Sequence, residues 1–396
     1  MYIGHTKSGS KVGHTFAIAG EVASIAPMTN RAPHRVGQSI PVVNLTRRRF
    51  GGLALAAGLM AASHRQAAAC QSKADQIQQV WPELFFDLPL DGPQSAARHT
   101  LNGRVWSAQR PWSANTLNDC GFDTNSSDLK AAIAQADIVC FGEVHDNTAH
   151  HIFRAHFANA RSGNVKPRAA VFEQIRADQQ PALDTFAALA HPSTDDLLKA
   201  LDWEHSPWSK TADYRPLFDA AVSNQQPVYA GDPPRDVIHK AARQGLAQAL
   251  LPGEIARLAL DTPLGEANET ASLKEIEDSH CGAIPKSAHA GMAQAQRYRD
   301  AYMADALIRS TGAHGAAILF AGNGHVRTDR GVPWYIAKRK PDATLVSIML
   351  IEVEDGQTDP EAYVPRDPAG NPATGYIVFT PRSHRDDPCA NMKPPK

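Results

Sequence analysis

The sequence predicts an α/β fold, a largely parallel sheet flanked by helices on both faces, with helical insertions. Three observations lead there. Short apolar runs recur, such as "DIVCFG", "RAAVFEQI", "PVYAGD" and "GAAILFAG". Runs of that length without a polar side suit strands buried on both faces. Segments with helical spacing lie between them, the alternation that builds parallel sheets. The composition, 43% hydrophobic and 20% charged over 396 residues, is that of an ordinary globular chain.

The first 69 residues read as an export signal rather than as fold. "NLTRRRFGGLALAAGLMAASHRQAAAC" has a basic start, an apolar stretch from Gly51 to Ala62, and small residues before Cys70. Thr46-Arg47-Arg48-Arg49-Phe50 has the form of a twin-arginine (Tat) signal. The n-region is long, and Met28 offers a start that would leave residues 1–27 untranslated. Simple cleavage after Ala69 and lipidation of Cys70, which would anchor a lipoprotein, both stay open. Either places the mature chain in the periplasm or on the cell envelope.

Residues 70–100 read as a linker, 101–381 as a single domain and 382–396 as a tail. "LNGRVWS" suits a short strand. "SDLKAAIAQA" reads as a capped helix, and "DIVCFG" as a buried strand. A helix then runs from Asp146 or Asn147, as N-cap, to a stop at Gly163. The strand "RAAVFEQI" follows, then helices over Ala177–Ala190 and Thr194–Leu201, the helix "DYRPLFDAAVSNQ" and the strand "PVYAGD". From Pro233 to Gly312 the chain is helical and loop-rich, with Met292, Ala295, Tyr298 and Met303 as the buried side of a long helix. Three more strands complete the domain, in "GAAILFAGNGH", "TLVSIMLIEVE" and "TGYIVFTP". Pro192–Ser209 and Pro263–His289 read as insertions.

Ligands of open parallel sheets gather at the carboxyl ends of the strands. Four expected strands end there in acids and imidazoles. The first ends at Glu143 and His145, the second at Glu173, the third at Asp232, and the fourth at "GNGH" with His325. Such a set suits a divalent metal, Zn, Mn or Fe, with open positions for water or substrate. Glu143 would then be a general base, and Glu143 with His145 could activate water without a metal. Taken singly, each residue has a plain alternative: Glu143 can cap a helix or pair with Arg154 or Arg176. His150 lies one turn into the following helix and can face the same crevice; His151 and His156 read as solvated.

Other chemistries are excluded or weakened. The net charge of −1 gives no field for nucleic acid. There is no GxSxG, HExxH or phosphate-cradling P-loop. Without CxxCH there is no covalent haem, and four cysteines besides Cys70 allow three pairings. Cys140 reads as a packed thiol. Cys281, beside His280, is either a reactive pair or a buried thiol or disulfide half.

The ordered segments "VCFGEVHDNTAHH", "AVFEQI", "DYRPL", "SHCGAIP…MAQAQRYRDAYMA" and "GNGHVRTDRGVP" resemble the ChaN-like family. That family comprises bacterial haem-binding lipoproteins of the Tiki and erythromycin-esterase superfamily. The resemblance runs from about Leu101 to Pro381. It implies an exported protein of haem or iron uptake. It also implies haem held non-covalently at a protein–protein interface, hence an open question of a homodimer, with a tyrosine on the iron and histidine assistance. His145, His150, Tyr214 and His325 are the haem-binding candidates; Tyr229, Tyr298 and Tyr302 stay open beside Tyr214. The superfamily's GExH falls on Glu143 and His145, and its later histidine on His325. Related branches use these positions for hydrolysis, so an enzyme remains the alternative to a haem-binding protein.

Overall fold

The computed structural model describes residues 99–109, 125–158, 167–211, 213–385 and 389. The export signal, Cys70, nearly all of the linker 70–100, Cys120, Gly163 and most of the tail lie outside them.

Seven strands form one sheet: β1 (Val105–Ser107), β2 (Ile138–Phe141), β3 (Ala169–Arg176), β4 (Val228–Asp232), β5 (Ala317–Phe320), β6 (Leu345–Glu352) and β7 (Tyr376–Thr380). Their order is β1-β7-β6-β2-β5-β3-β4. Every neighbouring pair is parallel except β1 with β7. Eleven helices accompany them among the described residues: α1 (Asn125–Gln135), α2 (Thr148–Phe157), α3 (Gln180–Ala187), α4 (Thr194–Ala200), α5 (Arg215–Ser223), α6 (Arg235–Gln244), α7 (Leu246–Ala249), α8 (Pro252–Arg257), α9 (Glu266–Ser279), α10 (Lys286–His314) and α11 (Val332–Arg339). The α/β class expected from the apolar runs is present.

The period of two along each strand divides the core. Ile138, Cys140, Val171 and Leu319 face one apolar layer, under α6, α7, α10 and α11. Val139, Phe141, Phe172, Ile318 and Phe320 face the other, under α1 to α5. The strands are covered on both faces, which is why they read as unbroken apolar runs. On α10, Ala295, Tyr298 and Met303 are buried as expected, but Met292 is only half-buried.

Local chemistry fixes the boundaries. Asn147 is the N-cap of α2, its side chain accepting from the Ala149 amide at 3.0 Å. The helix expected over Ala177–Ala190 is a 3₁₀ turn, Ala177–Gln179, followed by α3. Pro181 explains the restart, since a proline suits the first turn of a helix and cannot donate further in. The first expected insertion carries α4 and two 3₁₀ turns, Trp203–His205 and Pro207–Lys210. The second carries α9, which packs back on α10.

Among the described residues Cys281 and Cys389 form a disulfide, and Cys140 is a buried free thiol whose pKa burial raises, so none of the three four-cysteine pairings is formed. The chain leaves β2 toward β3 on one side of the sheet and leaves β5 toward β6 on the other. This reversal opens a crevice beyond the carboxyl ends of β2 and β5, the position where such sheets take ligands.

Candidate functional site

Strand β2 ends at Phe141, and Gly142 and Glu143 follow at once. Gly142 is required: a Cβ there would meet Asn323 Oδ1 at 2.3 Å and Val326 Cγ2 at 2.8 Å. The backbone can therefore run against the β5 turn, where the Asn323 amide donates to the Glu143 carbonyl at 2.9 Å. Glu143 is fully buried. Its Oε1 accepts from His145 Nδ1 at 2.7 Å, Gln174 Nε2 at 3.0 Å and the Tyr214 hydroxyl at 2.8 Å. Its Oε2 faces the Arg154 guanidinium and, at 2.9 Å, His151 Nε2.

The expected Glu143–Arg154 pairing is therefore present. Arg154 is itself buried, lies over the Phe320 ring, and has its pKa lowered by burial to about 9. The reading of His151 as solvated is corrected. It is buried, donates through Nδ1 to the Asp213 carbonyl at 2.8 Å, and stacks on Tyr214. His156 is exposed, as expected.

A second carboxylate lies across the crevice. Glu173 sits inside β3 rather than at its end, because the strand continues past an irregularity to Arg176. Its Oε2 accepts from the Gly322 amide at 2.7 Å, and its Oε1 from Arg299 at 2.9 Å and His325 Nε2 at 3.1 Å. His325 Nδ1 donates to Asp300 at 2.6 Å, and Arg299 Nε to Asp232 at 2.6 Å. Burial alone would lower the His325 pKa, but Glu173 and Asp300 raise it to about 9, so the ring is an imidazolium at neutral pH. Burial likewise opposes ionisation of Glu173, and His325, His145 and Arg299 overcome it, holding the carboxyl well below its usual range.

His145 joins the two halves. Its Nδ1–H is taken by Glu143, and its Nε2 is 4.0 Å from Glu173 Oε2 with no hydrogen bond to a described residue. Burial lowers its pKa against the pull of Glu173. Gly322 makes the space: a Cβ there would lie 2.8 Å from that nitrogen. Trp208 covers the other side of the ring, centroid to centroid 4.8 Å.

Glu143, His145, Glu173, Asp232, Tyr214 and His325 thus meet in one network. His150 does not join it. Its Nδ1 accepts from the Val144 amide at 2.9 Å and its Nε2 meets the Thr380 hydroxyl at 2.7 Å, so neither nitrogen is open. Burial holds its pKa well below the ordinary value. Tyr214 directs its hydroxyl inward to Glu143, and burial raises its pKa. The other tyrosines stand elsewhere: Tyr229 bonds His314, and Tyr298 and Tyr302 pack together on α10.

The expectation of a divalent metal finds no support in this donor set. Both oxygens of Glu143 and of Glu173 are taken by N–H and O–H donors. Among the described residues no group of three His, Cys, Asp or Glu is arranged to hold an ion. Glu143, expected as a general base, has both oxygens engaged, whereas His145 Nε2 has no hydrogen bond to a described residue. Sequence reading passed over Arg299, Asp300, Gln174 and Trp208. The signal for the first two was an Arg-Asp pair within the apolar middle of "RYRDAYMADAL".

Beside the network, a cleft of about 380 Å³ is lined by Leu198, Trp203, Ser209, Lys210, Asp213, Tyr214 and Arg215. Its wall is aromatic, and two cations stand with Asp213 among its lining.

Comparison with known proteins places this geometry. Residues 129–336, more than half of the chain, match the family described as haem-binding uptake, Tiki superfamily, ChaN. A structure titled for cofacial heme binding to ChaN of Campylobacter jejuni is 18% identical. It covers 69% of this chain and 94% of its own, with a TM-score of 0.50, which shows a shared fold. A mutant erythromycin esterase in its open conformation is 12% identical, covering 69% of this chain and 98% of its own, TM-score 0.37. A succinoglycan biosynthesis protein is 13% identical over 70% and 76%, TM-score 0.30. These last two are too distant to carry an argument. No curated protein matches. With Glu143, His145 and His325 and the strands β2 to β5 all inside the matched residues, the chain belongs to the ChaN family of the Tiki superfamily.

Proposed function

We propose that the chain is an exported haem-binding protein serving haem or iron uptake, with haem as cargo. The observation that carries the reading is the family match over the segment that holds the whole crevice. The local chemistry suits the cargo. A porphyrin needs a flat apolar wall, cations for its two carboxylates, and an axial donor. Trp203, Tyr214 and Leu198 supply the wall, and Lys210 and Arg215 the cations. His145 lies behind the cleft lining, its Nδ1 3.5 Å from the Tyr214 hydroxyl and its ring against Trp208, and its Nε2 is the donor without a hydrogen bond to a described residue. Tyr214 can serve only after giving up its bond to Glu143. At about 380 Å³ the cleft lies within the range of small-molecule sites, about 300–1,000 Å³, and a second copy covering the far face of the macrocycle is part of this proposal.

Export is supported by the disulfide, since such bonds persist in oxidising compartments. The twin-arginine signal and the anchor at Cys70 remain part of this proposal. The test is titration of the purified mature chain with hemin. A saturable Soret shift at one haem per one or two chains is expected, weakened by Lys210→Ala/Arg215→Ala. A linear, unsaturated response equal to that of serum albumin would end the reading.

One observation favours a second reading. A neutral imidazole oriented by a carboxylate on Nδ1, with Nε2 facing a crevice, is the arrangement of a general base acting on water. Arg299 and the His325 imidazolium would then stabilise developing negative charge. Ester hydrolysis lost in His145→Ala and absent with hemin bound would support it.

A further inference from the structure

The residues beyond β7 hold the loop that carries Glu143 and His145. Arg385 donates through Nε and Nη2 to the two oxygens of Asp146, and through Nη1 and Nη2 to the two oxygens of Glu352, each at 2.6 Å. Asp146 is the residue after His145. Asn147 Nδ2 donates to Glu352 Oε1 at 2.7 Å and to the Pro381 carbonyl at 3.0 Å. The Ser383 amide reaches Glu352 at 3.0 Å, and His150 meets Thr380 at 2.7 Å. The loop is thus fastened to residues 380–385 at several points.

The other end of the tail is covalent. Cys389, four residues past Arg385, is bonded to Cys281, in the turn between α9 and α10. Helix α10 carries Arg299 and Asp300, the partners of Glu173 and His325. The tail is therefore attached to the His145 loop at Arg385 and to the turn between α9 and α10 at Cys389. Among the described residues none beyond β7 bonds Glu143 or Glu173, so the effect argued for Arg385 on the site is positional.

We infer that this tail is a latch. Arg385 positions the His145 loop, the Cys281–Cys389 bond secures the latch, and a dithiol that reduces the bond loosens the loop. Cys389 is exposed and Cys281 half-buried, so a reductant can reach them. One thiolate of the dithiol attacks the Cys389 sulfur, and Cys281 leaves as a thiolate that takes up a proton. The second thiol closes on the mixed disulfide and releases Cys389 as a thiol. The protein's S–S bond breaks, one forms in the reductant, and two electrons pass to the cystine.

The test needs no haem, so its failure is separate from failure of the proposed function. Histidines of the full mature chain are carbethoxylated with diethyl pyrocarbonate and mapped by mass spectrometry. The samples are oxidised protein, protein reduced with dithiothreitol and alkylated, Cys389→Ser, Arg385→Ala and Arg385→Lys. The expected result is a rise in the His145 rate of at least about threefold in the reduced, Cys389→Ser and Arg385→Ala samples, as local opening exposes its Nε2. Arg385→Lys, which keeps the charge but not the fork, should fall between. Exposed His205 and buried His325 should keep their rates. An unchanged His145 rate in reduced wild type and in Arg385→Ala overturns the latch. So does an equal rise at His145 and His325, which would mean general loosening.

Discussion

Raising the pH from 6.5 to 9 should destabilise the fold through one residue, His325. Its ring lies between Asp300 at 2.6 Å and Glu173 at 3.1 Å, both buried, and its pKa is raised from 6.5 to about 9. The folded chain keeps the proton across that window while the unfolded chain releases it. The stabilisation is thus complete below pH 6.5 and is lost as pH rises through 9. A rise of that size corresponds to about 3 kcal/mol, at roughly 1.4 kcal/mol for each tenfold step. The assay is urea unfolding of the disulfide-intact chain at both pH values, followed by far-ultraviolet circular dichroism. The wild-type midpoint should fall with pH, and that of His325→Gln should be low at both. Equal wild-type midpoints at pH 6.5 and 9, or an equal fall in His325→Gln, would refute the assignment of a buried imidazolium.

Acid should act through His150, whose Nδ1 accepts from the Val144 amide and whose pKa is depressed. Its contribution is present above pH 6.5 and lost as pH falls, so stability should peak near pH 6.5; His150→Asn should flatten the acid limb of the same unfolding series. Arg154→Leu leaves Glu143 buried without its guanidinium and should cost about 3–5 kcal/mol in urea unfolding. Glu143→Gln/Arg154→Leu should recover part of that loss, and no recovery would mean that the pair is not coupled. Gly322→Ala places a methyl 2.8 Å from His145 Nε2, so it should weaken hemin binding at least about tenfold with a change in melting temperature of a few degrees; intact affinity would show that His145 is not the open donor.

The sheet was legible because its strands are buried on both faces, and unbroken apolar runs such as Ile138–Phe141 have no other economical reading. The crevice was legible for a related reason. Glycine, glutamate and histidine directly after an apolar run mark where a buried strand meets a polar space. What stayed hidden is pairing at long range. Nothing in the chain around Glu143 reveals that Tyr214, 71 residues on, donates to it. His151 looked solvated because its neighbours in sequence are polar, while its partners, Tyr214 and the Asp213 carbonyl, come from another segment. The metal expectation arose in the same way. Counting acids and imidazoles at strand ends cannot show that Arg154 and Arg299 already occupy the carboxylates. Arg299 and Asp300 lie in the middle of α10, where a charged pair within a buried stretch was the one available signal.

The open nitrogen of His145 can be read directly by long-range ¹H–¹⁵N NMR of the histidine side chains at pH 7, with and without diamagnetic gallium protoporphyrin. His145 should be a neutral ring protonated at Nδ1, His325 doubly protonated, and only the His145 Nε2 resonance should move substantially on saturable porphyrin addition. A cationic His145, or a His145 signal indifferent to the porphyrin while binding saturates, would contradict the site described here.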